Sequence, residues 1–476
     1  MVRIEKRLKS IFVVHLLVLI LIGARSVSLG AAELSDAGDV SLNRKPHGSV
    51  VVTTSLKLRK GPGTRFAQVD TLMIGEVLTV LEKNEKKDTI EEKDDFWYRL
   101  KKKNGVTGWA FGAFLQTAAP SPEVDDNVGT VEPPPTSSDI RPINETVLGE
   151  LLVKRGFEIP NDFKALLIEI VTDETGHTVY YPMDYRGTSR DRDGWWPAST
   201  VKLYAAVAAL EKLRALGFTP KAALTFQYDE APLTQSMETL IRRAITDSKN
   251  PEFDRLVEFV GARRLNRYFL IKDNGIEDTV MMRCYSGRVI DPETGKCTNR
   301  HSPPIIVVEG EKEKHLSEQN NDETYACERG GNCTTLRDLT EVLRRVMMQE
   351  TLPKAEQYKL GKAELSLLRS ALKGTWARGG VNDGLRAVFK GRPMEIFHKG
   401  GYADRWFSDN IFLKINDTKE RWIIAMVNRP GRESLNQAAL YVAALIADGT
   451  LSEARKQSAA REKETPVATA GESHRP

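Results

Sequence analysis

Trp195-Trp196-Pro197-Ala198-Ser199-Thr200-Val201-Lys202-Leu203 is the stretch on which the reading turns. Ser199 stands just ahead of a helical pattern over 201–216, and Lys202 follows three residues later, one turn along the same face. Residues 203 to 210 carry no charge, so the helix is expected to be buried and Lys202 desolvated with it. Burial disfavours an ammonium and lowers its pKa, which makes a lysine a base, and a serine needs a nearby base to become a nucleophile. Backbone N–H groups at a helix start also favour negative charge developing there. Alone, Ser-x-x-Lys is a weak signal, because a serine ahead of a helix also serves as a cap.

Two elements further along raise its weight. Ser248-Lys249-Asn250 falls at a helix end just before Pro251, and Lys399-Gly400-Gly401 closes a strand over 395–399. Ser408-Asp409-Asn410 opens the next strand. Between 145 and 452 helical and strand patterns alternate. A hairpin is expected over 165–181 around Asp173-Glu174-Thr175-Gly176, helices over 237–246, 252–259 and 335–348, and strands over 386–389, 395–399, 411–415 and 422–427. Strands at both ends around a helical middle give an α+β domain whose terminal strands share one sheet.

In this order the three elements resemble the S-x-x-K, S-D-N and K-T-G motifs of penicillin-recognising serine enzymes, closest to class A β-lactamases. The resemblance spans most of 145–452. It includes the helix start at Thr334-Thr335-Leu336-Arg337-Asp338-Leu339 and the final hairpin up to Asn428-Arg429-Pro430-Gly431. It implies Ser199 as the acylated nucleophile, Lys202 as its proton acceptor and Ser248 as a proton shuttle to the leaving group. Asn250 would hold the substrate amide and Lys202, and Lys399 would face Ser248 and a substrate carboxylate. Backbone N–H groups of Ser199 and Tyr402, just past Gly401, would form the oxyanion hole.

Three departures qualify the implied roles. Lys249 replaces an acid and adds positive charge near the site. Gly400 replaces a Thr or Ser hydroxyl that helps grip the substrate carboxylate, so penicillin binding is expected to weaken. The family's E-x-x-L-N glutamate, which activates the deacylating water, has no counterpart, and alignment from Asp278 places Cys284 and Tyr285 where Trp-Glu is expected. Glu309, Glu311, Glu313 and Glu328 lie in the long polar region that follows, but charged loop residues are usually solvated. Of the neighbouring residues, His398 is expected to pack on the face opposite Lys399. Asp404 and Arg405 read as a surface ion pair or a carboxylate contact.

Outward from this domain the chain changes character. Residues 1–10 carry Arg3, Lys6, Arg7 and Lys9, residues 11–24 are almost wholly apolar, and Gly30-Ala31-Ala32 offers small residues for cleavage. This is a secretory signal peptide over 1–32. Its apolar run of 14 residues falls short of the roughly 20 that a spanning helix needs, and no stable membrane span is expected after cleavage. The four cysteines, Cys284, Cys297, Cys327 and Cys333, read in an exported chain as two disulfides. Three pairings are open, and Cys284–Cys297 with Cys327–Cys333 closes the shortest loops. Zinc is disfavoured because tight C-x-x-C pairs are missing.

Residues 48–116 read as short strands with turns at Lys60-Gly61-Pro62-Gly63 and Asn104-Gly105, a small β-barrel. With Trp97-Tyr98 and Gly108-Trp109 this segment resembles a bacterial SH3 (SH3b) domain, which implies a peptide-binding or cell-wall-binding module. At least one of Trp97 and Trp109 is expected in the barrel core. A proline-rich linker is expected over 117–142 and a disordered tail over 455–476.

Formal net charge over the 476 residues is +4, and the first 32 hold five of the 69 Lys/Arg against one of the 65 acids. The mature chain is therefore neutral, which argues against a nucleic-acid partner. The sequence thus reads as an exported, periplasmic or cell-envelope serine hydrolase working through a Ser199 ester. The expected partner is peptidoglycan or a β-lactam-like small molecule, and the chemistry needs no cofactor and no metal. The alternative is a non-catalytic wall-binding or β-lactam-binding protein with a degenerate site.

Overall fold

The computed structural model describes residues 49–52, 56–72, 76–90, 93–102, 105–117, 137–287, 297–321, 323–325, 327, 331–374, 380–429 and 431–464. The segment 1–32 expected as a signal peptide, Thr53, Thr54, Asn104 and Glu328 lie outside them, as does most of the expected linker.

Seven strands make the N-terminal sheet: β1 (Ser49–Val52), β2 (Leu56–Arg59), β3 (Gln68–Leu72), β4 (Val77–Ile90), β5 (Lys93–Lys101), β6 (Thr107–Phe111) and β7 (Leu115–Thr117), in the order β3-β2-β6-β5-β4-β1-β7. Its core holds Val50, Leu58, Leu78, Val80, Tyr98 and Leu100. Trp97 is buried with its ring centroid 5.6 Å from that of Phe111, whereas Trp109 is half-buried.

The larger part is built on a six-stranded sheet. Its strands are β8 (Asp139–Ile140), β9 (Lys164–Thr172), β10 (Thr178–Asp184) and, some two hundred residues later, β15 (Met394–Ala403), β16 (Trp406–Ile415) and β17 (Arg421–Asn428). Their order is β15-β16-β17-β9-β10-β8, antiparallel except for β8. The ends of the domain thus share one sheet, as the α+β pattern requires. Because successive side chains point to opposite faces and both faces are covered, residues 165–168 of β9 and 422–427 of β17 are all apolar. Ala165, Leu167, Ile424 and Met426 enter a core with the helices α1 (Val147–Lys154), α7 (Val381–Val388) and α8 (Arg432–Ala447). Leu166, Ile168, Ala425 and Val427 enter the core on the other face. That core contains α2 (Lys202–Ala215), α3 (Met237–Ile245), α4 (Asn250–Val260), α5 (Leu336–Met348) and α6 (Lys362–Lys373). A four-stranded sheet flanks it, made of β11 (Ala223–Phe226), β12 (Leu233–Ser236), β13 (Ile305–Glu309) and β14 (Lys312–Leu316).

Three expectations are corrected. Residues 386–389 are not a strand but the end of α7, because Val381, Leu385 and Phe389 repeat at helical spacing into the α8 core. The linker stops sooner than 142. Asp139–Ile140 joins the sheet beside β10, and the Ser138 N–H and hydroxyl donate to Glu356, which Arg344 also holds. The tail expectation begins inside a helix, α9 (Thr450–Glu464), fastened by buried Leu451 and by Arg455 and Ser452 on the Glu169 carboxylate.

Both cysteine pairs are joined, Cys284 to Cys297 and Cys327 to Cys333. The sulfurs of the second pair converge with Asp193, but sulfurs already bonded to each other supply no thiolate to a metal. No helix among the described residues is long and apolar enough to cross a membrane.

Candidate functional site

Ser199 sits in a short 3-10 turn, Ala198–Val201, that runs directly into α2. The preceding Ala198 has φ of +46°, and Ser248 has φ of +55°, left-handed conformations that cost a side chain about 1–2 kcal/mol each. The strain thus falls on Ser248 itself and on the residue just before Ser199. Ser199 is half-buried, and among the described residues its hydroxyl has no hydrogen-bond partner.

Lys202 opens α2 and is fully buried. Its Nζ donates to the Ser248 carbonyl at 2.6 Å and to Asn250 Oδ1 at 2.8 Å. Burial, with the positive charge of Lys399 adding to it, brings its pKa down from 10.5 to about 7. Lys399, on β15, is also buried; its Nζ donates to Ser248 Oγ at 3.0 Å and to the Gly400 carbonyl at 2.8 Å. Burial lowers its pKa to about 8 against the opposing pull of Asp409. Ser248 therefore bridges two lysines, one through its carbonyl and one through its hydroxyl.

β15 is an edge strand of the six-stranded sheet, and it passes the Ser199 turn at Gly401. A Cβ there would lie 2.5 Å from the Pro197 carbonyl oxygen and 3.0 Å from the Ser199 nitrogen, so only glycine admits this approach. Gly400 is under no such constraint, since a Cβ at that position would meet Asp409 Oδ1 and the Ser408 carbonyl at an ordinary 3.5 Å. Tyr402 follows with its side chain 63% exposed.

The structure thus gathers Ser199, Lys202, Ser248, Asn250, Lys399 and Gly401 at one place, with Tyr402 next along the strand. Lys249 is exposed. His398 is buried facing Asp409, Nδ1 to Oδ1 at 3.1 Å. Of the carboxylates weighed as a deacylation base, Glu309 accepts from the Thr219 N–H at 2.8 Å on the far hairpin, and Glu313 pairs with His315. Glu311 lies in the exposed turn of that hairpin. Among the described residues no carboxylate hydrogen-bonds to Ser199 or Lys202.

The residue aligned with the expected glutamate is Tyr285. Its hydroxyl donates to the Ala198 carbonyl at 2.9 Å, and burial pushes its pKa up to about 12. The backbone N–H of Tyr285 donates to Asp254 at 2.9 Å, its carbonyl accepts from Asn250 Nδ2 at 3.2 Å, and its ring lies 4.8 Å from Phe253. Sequence reasoning missed Phe253 and Asp254. The signal was there, because they stand three and four residues after Asn250 on one face of α4.

Comparison with known proteins adds the following. A bacterial SH3 domain model matches residues 54–116, and the model of the beta-lactamase enzyme family matches residues 189–449. No curated protein matches the chain. Among solved structures, PBP-A is 18% identical, covering 66% of this chain and 100% of its own, with a TM-score of 0.44. The TLA-3 extended-spectrum beta-lactamase is 14% identical, covering 64% of this chain and 99% of its own, with a TM-score of 0.43. A class A beta-lactamase from Bacteroides cellulosilyticus is 16% identical over 62% of this chain and 95% of its own, at a TM-score of 0.40.

Proposed function

Since the chain belongs to the beta-lactamase enzyme family, we propose that it is a serine hydrolase that acts by acyl transfer through an ester on Ser199. The observation that carries the reading is the buried Lys202, one turn from Ser199, with a pKa near 7. At neutral pH about half of such lysines are uncharged and able to take a proton from the serine hydroxyl. The Ser199 oxygen attacks the carbonyl carbon of an amide, and its proton passes to Lys202. The tetrahedral oxyanion is held by the backbone N–H groups of Ser199 and Tyr402. Ser248, whose hydroxyl accepts from Lys399, relays a proton to the leaving nitrogen as the C–N bond breaks. Lys399 meets the carboxylate of the substrate, and Asn250 holds its amide.

Deacylation is the slow step of this proposal. The place of the family's water-activating carboxylate is taken by Tyr285, whose pKa near 12 leaves it protonated. An ester on Ser199 is therefore expected to persist, which favours a wall-peptide amide, with β-lactams as slowly released acyl donors. Export and action at the cell envelope, with the SH3-like barrel as wall tether, complete the proposal. They are supported by the N-terminal segment 1–32 and by four cysteines all in disulfides, which form in oxidising compartments.

The test is intact-protein mass after incubation with a fluorescent penicillin, followed over time. A lasting adduct is expected on the wild type and none on Ser199→Ala, with thermal unfolding unchanged. A transient adduct with penicillin consumed would instead identify an efficient β-lactamase with another base. Absence of any adduct across a panel of acyl probes would favour the non-catalytic binding protein.

A further inference from the structure

Lys212 is a buried lysine that takes no part in the chemistry proposed at Ser199. It lies on α2, 3% exposed, and its Nζ donates to the Phe259 carbonyl and, at 3.4 Å, to the Val260 carbonyl in the last turn of α4. We propose that Lys212 is a positioning residue of the acyl-transfer site: it fastens α4 to α2 and so fixes how Asn250 and Ser248 hold Lys202. The inference rests on the Ser199 acyl-enzyme reading and adds a residue that acts through Lys202 alone.

The same fastening recurs at both ends of one helix pair. Lys202 opens α2 and reaches the start of α4, donating to the Ser248 carbonyl and to Asn250 Oδ1. Lys212, further along α2, reaches the end of α4. From 202 to 212 on one helix and from 250 to 260 on the other, the step is the same ten residues. At 1.5 Å per residue the two fastenings stand about 15 Å apart, so the helices run parallel with a lysine of α2 at each end. Each Nζ also lies over a phenylalanine ring of α4, Lys202 at 5.8 Å from the Phe253 centroid and Lys212 at 4.8 Å from that of Phe259.

Lys202 cannot keep this register by itself. A neutral amine has two N–H donors and one lone pair. With the donors given to the Ser248 carbonyl and Asn250 Oδ1, the lone pair is what remains to take the Ser199 proton. Its direction is therefore set by where α4 stands against α2. The bonds of Lys202 must also adjust when it gains and loses that proton, so a fastening that stays constant through the reaction has to lie elsewhere.

Lys212 meets that requirement. The last carbonyls of a helix have no partner within it, and a lysine at that end can supply the missing donor. Among the described residues its polar contacts are with these two carbonyls and with no carboxylate. Burial, with the positive charge of Arg264 adding to it, brings its pKa down to about 7. Neutral or charged, it has donors for both carbonyls. An apolar side chain would fill the place without the cost of burying an amine, but it would leave the far end of α4 unfastened.

Lys212→Met removes the donors and keeps the length of the side chain. Leu213→Ala, its neighbour in the same core, is the control for lost stability with the fastening intact. Both are studied as full chains by urea unfolding and by intact mass after benzylpenicillin. The pH midpoint of Lys202 is read from the carbon-13 resonance of its Cε in lysine-labelled protein. In Lys212→Met the acylation rate at saturating probe should fall about tenfold, with the half-saturating concentration changed less than about threefold. The Lys202 midpoint should move by about half a pH unit or more, although Lys399, Asp254 and Glu252, the charges around it, are all retained. Leu213→Ala should keep both the rate and the midpoint. A wild-type rate or midpoint in Lys212→Met, or equal losses in Leu213→Ala, overturns the proposal and leaves the Ser199 reading standing. If the wild type forms no adduct, the Ser199 reading falls and the midpoint alone decides: a shift upholds the fastening of Lys202, and none overturns it. Should Lys212→Met not fold, Lys212→Gln, whose shorter side chain draws the donor back from the carbonyls, is read against the same control on the same criteria.

Discussion

Lys202→Met should make this protein more stable while ending its chemistry. Lys202 is fully buried, and its pKa falls from 10.5 to about 7. At ~1.4 kcal/mol per pKa unit, folding near pH 7 costs about 4 kcal/mol more than it would for a side chain that carries no proton. Methionine has similar length and no charge, so the variant escapes this penalty. It also leaves the Ser248 carbonyl and Asn250 Oδ1 without their donor, a loss of about 1 kcal/mol each. The balance is about 2 kcal/mol in favour of the variant near neutrality. The unfolded chain keeps this lysine protonated up to about pH 10.5, whereas the folded chain releases the proton near 7. Between those values the unfolded state binds more protons, so wild-type stability climbs with pH and the variant's advantage shrinks. From about pH 7 to about pH 9 it should shrink by ~2 kcal/mol. Urea unfolding of both proteins at the two pH values measures this, and penicillin labelling of the variant measures the chemistry. A variant less stable than wild type at every pH, or one that still labels at the wild-type rate, would refute the account of Lys202 as a destabilised buried base.

Further outcomes follow from the same geometry. Acylation of Ser199 needs Lys202 neutral, hence pH above about 7, and Lys399 charged, hence pH below about 8. The labelling rate should be a narrow bell between those limbs, and a flat profile from about pH 6 to 9 would count against both assignments. Gly401→Ala should slow labelling by about a hundredfold or more, because its methyl meets the Pro197 carbonyl and the Ser199 nitrogen. Gly400→Ser should fold normally and speed penicillin acylation about fivefold by adding one hydrogen-bond donor. The reverse ranking in labelling kinetics would mean that the strand does not hold the substrate. Tyr285→Phe loses the bond to the Ala198 carbonyl and ~1 kcal/mol of stability. The adduct lifetime on this variant should change less than about twofold, whereas a much longer lifetime would make the tyrosine part of deacylation.

The sequence by itself determined the elements whose period is strong and the motifs that sit at their ends. The uncharged run after Lys202 announced a buried helix, and the strand patterns at both ends of 145–452 announced one shared sheet. The spacing of Ser199 and Lys202 fixed their shared face, since helical geometry is local. Periodicity failed at residues 386–389, where four residues fit a strand as well as the last turn of α7. Only the packing of Leu385 and Phe389 against α8 decides between them. The ends of the polar stretches at 138–142 and 455–464 were equally out of reach. Ser138 and Arg455 are held by Glu356 and Glu169, each more than two hundred residues away.

The properties that make the site chemical were decided by tertiary structure alone. Ser248 and Lys399 stand 151 residues apart, and their contact exists because β15 returns to the edge beside α2. The pKa of Lys202 depends on what buries it and on a second lysine nearby, neither of which its own helix specifies. Tyr285 could be aligned with the missing glutamate from sequence. That its hydroxyl is engaged by the Ala198 carbonyl required the fold. Desolvation and charge–charge distance are properties of three-dimensional neighbours, and a one-dimensional pattern carries them only where those neighbours lie within a turn of one another.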